Sequence, residues 1–344
     1  MRAGNGNARL PPRPSSVRTS FLLLLASVGV SLLLSEVALR MTGRFQAPSY
    51  PPICSRPDLY QQFEPYGYRL WPSRTTTYLY PAHNPRRLTV VSNGDGFRSS
   101  RESDDPDERL RLMVVGDSFV FGEGVEESER FTNILETMQS SWRVENLGMP
   151  GYGPDLMLRA LEEVGLKSRP DVVVFSMYTD IFRRVHPEYA GAGFKIPRFK
   201  LEAGQLVTIP YPKPSLWDQL SMVVAIRRIQ WHYTNAVLDL NAGILDRFLK
   251  LAELHSFVPV VIFLPGRSDT SSDKTRRAWL RQYAERHDTP FLDLTEPIHK
   301  EDQKAFITRN WHLNPHGHHI VATEVRRFIS EQVLSEPRTT HLRP

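Results

Sequence analysis

Two residues far apart in the chain have the types that acyl transfer requires. Ser118 ends the stretch Leu112-Met-Val-Val-Gly-Asp-Ser118, and His312 opens His312-Leu-Asn-Pro-His-Gly-His-His319. A serine hydroxyl is a weak nucleophile until a neighbouring imidazole takes its proton, so the pair is useful only if the fold brings it together. The apolar run Leu112–Val115 reads as a buried strand, and Gly116-Asp117-Ser118 as the turn that ends it. That places the hydroxyl beyond the carboxyl end of a strand, where open α/β sheets bind ligands. Asn314 is a suitable helix N-cap and Pro315 a suitable first helical residue, so His312 lies on the loop just ahead of a helix. His316, His318 and His319 fall in that helix's first turns and are expected at the surface. A metal cluster is the competing reading of these histidines. No carboxylate or cysteine at ligand spacing supports it and a helix start disperses the rings, so neither a metal nor another cofactor is expected. The other serine-hydrolase signature, Gly-x-Ser-x-Gly, is absent, since Val120 stands where its second glycine belongs.

The elements that must position the pair alternate along the chain. Strands are predicted at Leu112–Val115, Trp142–Leu147, Val172–Phe175, Val258–Leu264 and Pro290–Leu292. Between them lie a helix with Phe131, Ile134, Leu135 and Met138 on one face and another over Asp155–Leu166. The last helix carries Val321, Val325, Phe328 and Ile329. Strands separated by helices imply an α/β fold with a parallel sheet. A long insertion, 183–256, separates the third and fourth strands. Its front half suggests a hairpin of Phe199–Glu202 and Gln205–Ile209, and its back half a helix with Ile244, Leu245, Phe248, Leu249 and Leu251 at helical spacing. Upstream, residues 45–90 are rich in Pro, Tyr and Arg and read as an extended strap with short edge strands at Thr75–Tyr80 and Leu88–Val91. A turn at Asn93-Gly-Asp-Gly96 and a solvated loop, 101–109, close it.

The formal charge of +5 is concentrated at the start. Arg2, Arg9, Arg13, Arg18, Arg40 and Arg44 face a single acid, Glu36, before residue 45, and acids and bases balance over the remainder. A basic stripe for nucleic acid is therefore not indicated. The apolar run Phe21–Leu34, continued as a helix through Leu39, spans ~28 Å, about the thickness of a bilayer core. With arginines ahead of it, this run is expected to be an uncleaved single-pass anchor in the inner (cytoplasmic) membrane, with the body periplasmic or extracellular. A cleaved signal peptide is the competing reading, but no convincing small-x-small site follows. Glu36 and Arg40 are spaced to pair where the helix leaves the lipid. The single cysteine, Cys54, excludes an internal disulfide framework.

Ser118 after the first strand, a glycine loop (Gly148-Met-Pro-Gly-Tyr-Gly153) after the second, an acid after the third and the His-x-Asn-Pro-x-Gly-His stretch before the last helix resemble the SGNH (GDSL) hydrolase family. The resemblance covers about 110–335. The anchor ending Ser35-Glu-Val-Ala-Leu-Arg40 and the strap with Asn93…Gly96-Phe97-Arg98 are similar to its membrane-anchored bacterial branch. It implies a three-layer, flavodoxin-like sandwich, with Ser118 as nucleophile, His312 as general base and the N–H groups of Ser118 and Gly148 as oxyanion donors. The chain departs from the family pattern at two places. Met177-Tyr-Thr-Asp180 stands for Gly-x-Asn-Asp, so Thr179 and Asp180 occupy the third oxyanion and binding positions. Asn310 and Arg309 stand where the triad acid precedes the histidine. The implied organisation is a basic tail (1–20), anchor (21–39), strap (40–109), hydrolase-like domain (110–335) and tail (336–344). The implied activity is ester hydrolysis or O-acyl transfer on a cell-surface ester such as an O-acetylated glycan. The alternative is a catalytically weak or inactive module that binds glycan or a protein partner.

Overall fold

The computed structural model describes residues 15–43, 45, 56–80, 85–102, 108–186, 189, 193–209, 211, 216–233, 236–308 and 311–335. Asn310 and Arg309, singled out above, lie outside the described residues, as does Cys54. The chain forms two compact units, Met1–Ala47 with Pro214–Tyr233, and Pro48–Lys213 with Thr234–Pro344.

In the first unit, α1 (Ser15–Met41) starts six residues ahead of the predicted span 21–39 and continues two residues past it. It is long and apolar enough to cross a bilayer and is compatible with an anchor or a signal sequence. The leucines at 22–25 and 32–34 are exposed, and the expected pair is formed, with Arg40 Nε 2.6 Å from Glu36 Oε1.

The second unit opens with two antiparallel hairpins, β1 (Tyr60–Phe63) with β2 (Gly67–Leu70) and β3 (Thr75–Tyr80) with β4 (Arg86–Val91). The first hairpin has no counterpart in the sequence reading. Next come β5 (Leu110–Gly116), the four-residue α2 (Ser118–Phe121), α3 (Phe131–Met138), β6 (Trp142–Gly148), α4 (Pro154–Glu163) and β7 (Val172–Tyr178). The insertion contains the hairpin β8 (Arg198–Glu202) with β9 (Gln205–Ile209), then α5 (Ser221–Tyr233) of the first unit and α6 (Ala236–His255). The second unit closes with β10 (Val258–Leu264), α7 (Ser271–Arg286), β11 (Phe291–Asp293), α8 (Thr295–His299) and α9 (Pro315–Phe328).

The strand order is β11-β10-β7-β5-β6, all parallel. Numbered by sequence this is 2-1-3-4-5, the flavodoxin-like order, whose ligand crevice lies where the first and third strands diverge. β5 and β7 are those two strands, so Gly116-Asp117-Ser118 and Tyr178-Thr179 meet the crevice together. Parallel strands covered on both faces need continuous apolar runs, and every residue of 112–115, 172–175 and 260–264 is buried.

α9 begins as expected: Asn314 Oδ1 accepts the Gly317 N–H at 3.0 Å and Pro315 follows. His318, expected at the surface, is instead fully buried against α3. Four residues past the cap, it shares the inward face with Val321 and Val325, where its Nδ1 accepts the Phe131 N–H at 3.3 Å. Burial pushes its pKa down to about 3, and Arg130 and Arg98 push the same way, so it is a neutral packing residue.

Candidate active site

Ser118 reaches the sheet edge on a short helix that the preceding residue caps. Asp117 Oδ1 accepts the Phe119 N–H at 3.0 Å, and its second oxygen pairs with Arg184 Nη1 at 2.9 Å. Arg184 lies in the helical turn after β7, at the start of the insertion, and also donates to the Tyr152 carbonyl at 2.8 Å. Behind it, Arg198 of β8 donates to the Arg184 carbonyl at 3.0 Å and pairs with Asp155 at 2.9 Å, both side chains being buried. The insertion thus grips the serine turn through Asp117.

His312 meets Ser118 across the crevice. Its Nε2 lies 2.8 Å from Ser118 Oγ, and its Nδ1 lies 3.3 Å from the hydroxyl of Tyr80 at the end of β3. With Nε2 accepting the serine proton, Nδ1 carries the hydrogen and donates it to the phenol oxygen. The loop is held by the Ile307 N–H on the His312 carbonyl at 2.9 Å and by Asn314 Nδ2 on the Lys304 and Phe306 carbonyls. Phe119 packs 5.3 Å from the imidazole, with Tyr178 behind it.

Burial pushes the His312 pKa down to about 4; Asp117 opposes this and Arg184 adds to it. The imidazole is a competent base only when neutral, so a value below the ordinary one keeps it active further into acid. A plot of kcat/KM against pH is expected to have its acid limb near pH 4, with most of the activity still present at pH 5.5. An acid limb near 6.5 would show that the ring is solvated as a surface histidine is.

The strap enters the site more deeply than its composition suggested. Buried Arg98, of the Asn93…Gly96-Phe97-Arg98 stretch, donates to the carbonyls of Phe121, Gly122 and Val125 at 2.8–3.2 Å, tying down the loop after the serine helix. Glu123 on that loop is raised to about 7, by burial and by Asp117, with Arg98 and Arg56 opposing.

Gly148, expected as an oxyanion donor, is engaged elsewhere: its N–H donates to Asn146 Oδ1 at 2.9 Å inside the core. Asn146 is fixed by its own donations to the Val120 carbonyl and Thr132 Oγ1. A Cβ at 148 would stand 2.3 Å from the Phe121 nitrogen, so this glycine serves the close packing of β6 on α2. Three residues on, Gly151 has φ +84, and its N–H makes no hydrogen bond among the described residues. Thr179, at the end of β7, is buried with no partner for Oγ1 among the described residues, and its carbonyl is fixed by Arg276 Nη1 at 2.7 Å. Asp180 points outward to Arg183 at 2.6 Å. Sequence reasoning missed Tyr80, Arg184, Glu123 and Gly151. Of these only Gly151 carried a signal, as one of three glycines in the same loop.

A family model for GDSL-like lipases and acylhydrolases matches residues 114–320. No curated protein matches the chain. Similar solved structures include a lipolytic protein of the G-D-S-L family from Desulfitobacterium hafniense DCB-2, 14% identical over 64% of this chain and 99% of that one, with a TM-score of 0.43. The psychrotrophic esterase EstA from Pseudoalteromonas sp. is 11% identical over 65% and 98%, with a TM-score of 0.43. The acetyl xylan esterase AlAXEase is 16% identical over 63% and 98%, with a TM-score of 0.39. The matched span takes in more than half of the chain and both Ser118 and His312, and on that ground the chain belongs to the GDSL-like lipase/acylhydrolase family.

Proposed function

We propose that the protein is a membrane-anchored, outward-facing serine acyl esterase or O-acyltransferase acting on a cell-surface ester such as an O-acetylated glycan. The observation that carries the chemistry is the 2.8 Å contact of Ser118 Oγ with His312 Nε2 at the sheet's switch point. Ser118 Oγ attacks the ester carbonyl while His312 Nε2 takes its proton, then returns it to the leaving alcohol. Water or a sugar hydroxyl resolves the acyl-enzyme by the same route in reverse. The Ser118 and Gly151 N–H groups donate to the oxyanion, with Thr179 Oγ1 as a third donor in place of the family's asparagine. Tyr80 accepts the Nδ1–H of the imidazolium, and Asn310, two residues ahead of the base, offers an amide where the family has a carboxylate. The arginine-rich start and exposed apolar α1 support the anchor and the outward orientation.

Detergent-solubilised full-length protein is expected to hydrolyse an aryl acetate, to react with a fluorophosphonate and to release acetate from O-acetylated glycans. Absence of both hydrolysis and labelling would instead favour a non-catalytic glycan- or partner-binding module. The Tyr80 role has its own test. A hydrogen bond to a charged group contributes roughly 1.5–3 kcal/mol, so Tyr80→Phe should lower kcat by about 10- to 100-fold with KM little changed. Unchanged kcat would remove Tyr80 from the mechanism.

A further inference from the structure

The first unit carries an apolar surface that catalysis does not use. Residues 216–219 form a helical turn leading into α5, and Leu216 and Trp217 are 83% and 71% exposed. Along α5, Ile226 and Ile229 are also exposed and, three residues apart, share one face. Arg227 and Arg228 lie between them.

This segment is fixed to one level of α1. Glu36, the one buried residue among the described side chains of α1, accepts the N–H groups of Ser221 and Met222, each at 2.9 Å, and so caps α5. Arg40, paired with Glu36, donates from Nη2 to the Gln219 carbonyl at 3.2 Å. Glu36 and Arg40 are in the last two turns of the candidate span, which ends at Met41. At ~1.5 Å per residue, Glu36 is within about 8 Å of that end. A span of this length puts that turn in the headgroup region, and whatever Glu36 caps must lie at the same depth.

We propose that residues 216–229 are a second membrane contact, a helical segment lying in the interface of the bilayer that α1 crosses, with Leu216, Trp217, Ile226 and Ile229 against the acyl boundary. The inference rests on α1 being a membrane span. Lipid is the occupant favoured here because the Glu36 cap and the Arg40 contact fix the segment at the membrane-exit end of the spanning helix. The residue types agree: tryptophan concentrates at membrane interfaces, and arginines beside apolar residues suit a helix lying in the interface plane. The insertion thus brings the chain back to the bilayer surface.

The full chain with Cys54→Ser, reconstituted in phosphatidylcholine vesicles containing phosphatidylglycerol, offers a direct test. A nitroxide is placed singly by Val28→Cys, Gln205→Cys, Trp217→Cys, Ile226→Cys or Ile229→Cys, and its accessibility to oxygen and to a water-soluble nickel chelate is read by power saturation. Positions 217, 226 and 229 should show an oxygen-to-nickel ratio several-fold above the exposed hairpin position 205 and below position 28 within the span. Water-like ratios at all three, with 28 in lipid, overturn the inference and leave the anchor standing. Shielding from both reagents would mean that a second copy or a protein partner covers the surface, which also overturns it. A water-like ratio at 28 would overturn the anchor itself.

Discussion

Ser118→Ala should yield a folded protein that neither hydrolyses an aryl acetate nor reacts with a fluorophosphonate. Loss of a triad serine elsewhere costs on the order of 10⁶ in kcat, because the acyl-enzyme has no other route. The fold should tolerate the change. The side-chain hydroxyl of Ser118 meets His312, and capping of the serine helix belongs to Asp117, not to the serine. The backbone contacts of the Ser118 carbonyl, which accepts the Gly122 N–H and the Glu123 N–H, the latter at 3.0 Å, survive the substitution. Thermal unfolding should therefore stay within about 1 kcal/mol of the parent. Labelling that persists in this variant would place the reactive serine elsewhere and end the proposed mechanism.

The largest loss of stability is expected from the buried pair behind the serine turn. Arg198 and Asp155 are 2% and 1% exposed and 2.9 Å apart. Arg198→Met leaves the Asp155 carboxylate buried without its cation, a change that costs about 3–5 kcal/mol where it has been measured. At roughly 2–4 °C per kcal/mol for a domain of this size, the midpoint of thermal unfolding should fall by about 6–20 °C. It should also loosen Arg184, whose carbonyl Arg198 holds, and with it Asp117. Replacing both partners, Arg198→Met with Asp155→Leu, removes the stranded charge and should recover most of the lost midpoint. A single-variant shift under about 2 °C would show that the carboxylate finds water.

Elements whose sequence encodes one dominant signal were legible. The central strands are unbroken apolar runs because both of their faces are covered, and Asn314-Pro315 marks the start of α9 through capping chemistry alone. α7 went unread because its buried residues are few, chiefly Leu280, Tyr283 and Ala284, although Thr270 and Asp273 form a capping box at its start. β1 and β2 are four residues each, too short for a period to register. The serine and histidine could be named because their types and local turns are distinctive. The status of Gly148 could not, since it depends on the Asn146 side chain folding back onto the loop. Tyr80 is beyond any local pattern: its contact with His312 joins residues 232 apart in the chain. His318 shows the complementary error, a polar type placed inside because helix geometry, not residue type, decides which face it occupies.

The same long separations bear on when activity can begin. Ser118 and His312 are 194 residues apart, and at about 5–20 residues per second a ribosome needs roughly 10–40 s to pass from one to the other. Through that interval α1, the strap and the serine turn exist without their base. Contacts this distant are also closed late in folding, because the loop entropy is lost before the contact repays it. On the proposed mechanism the nascent chain is therefore chemically silent while it folds. Ser118 gains its proposed base only after the loop ahead of α9 has been made and docked.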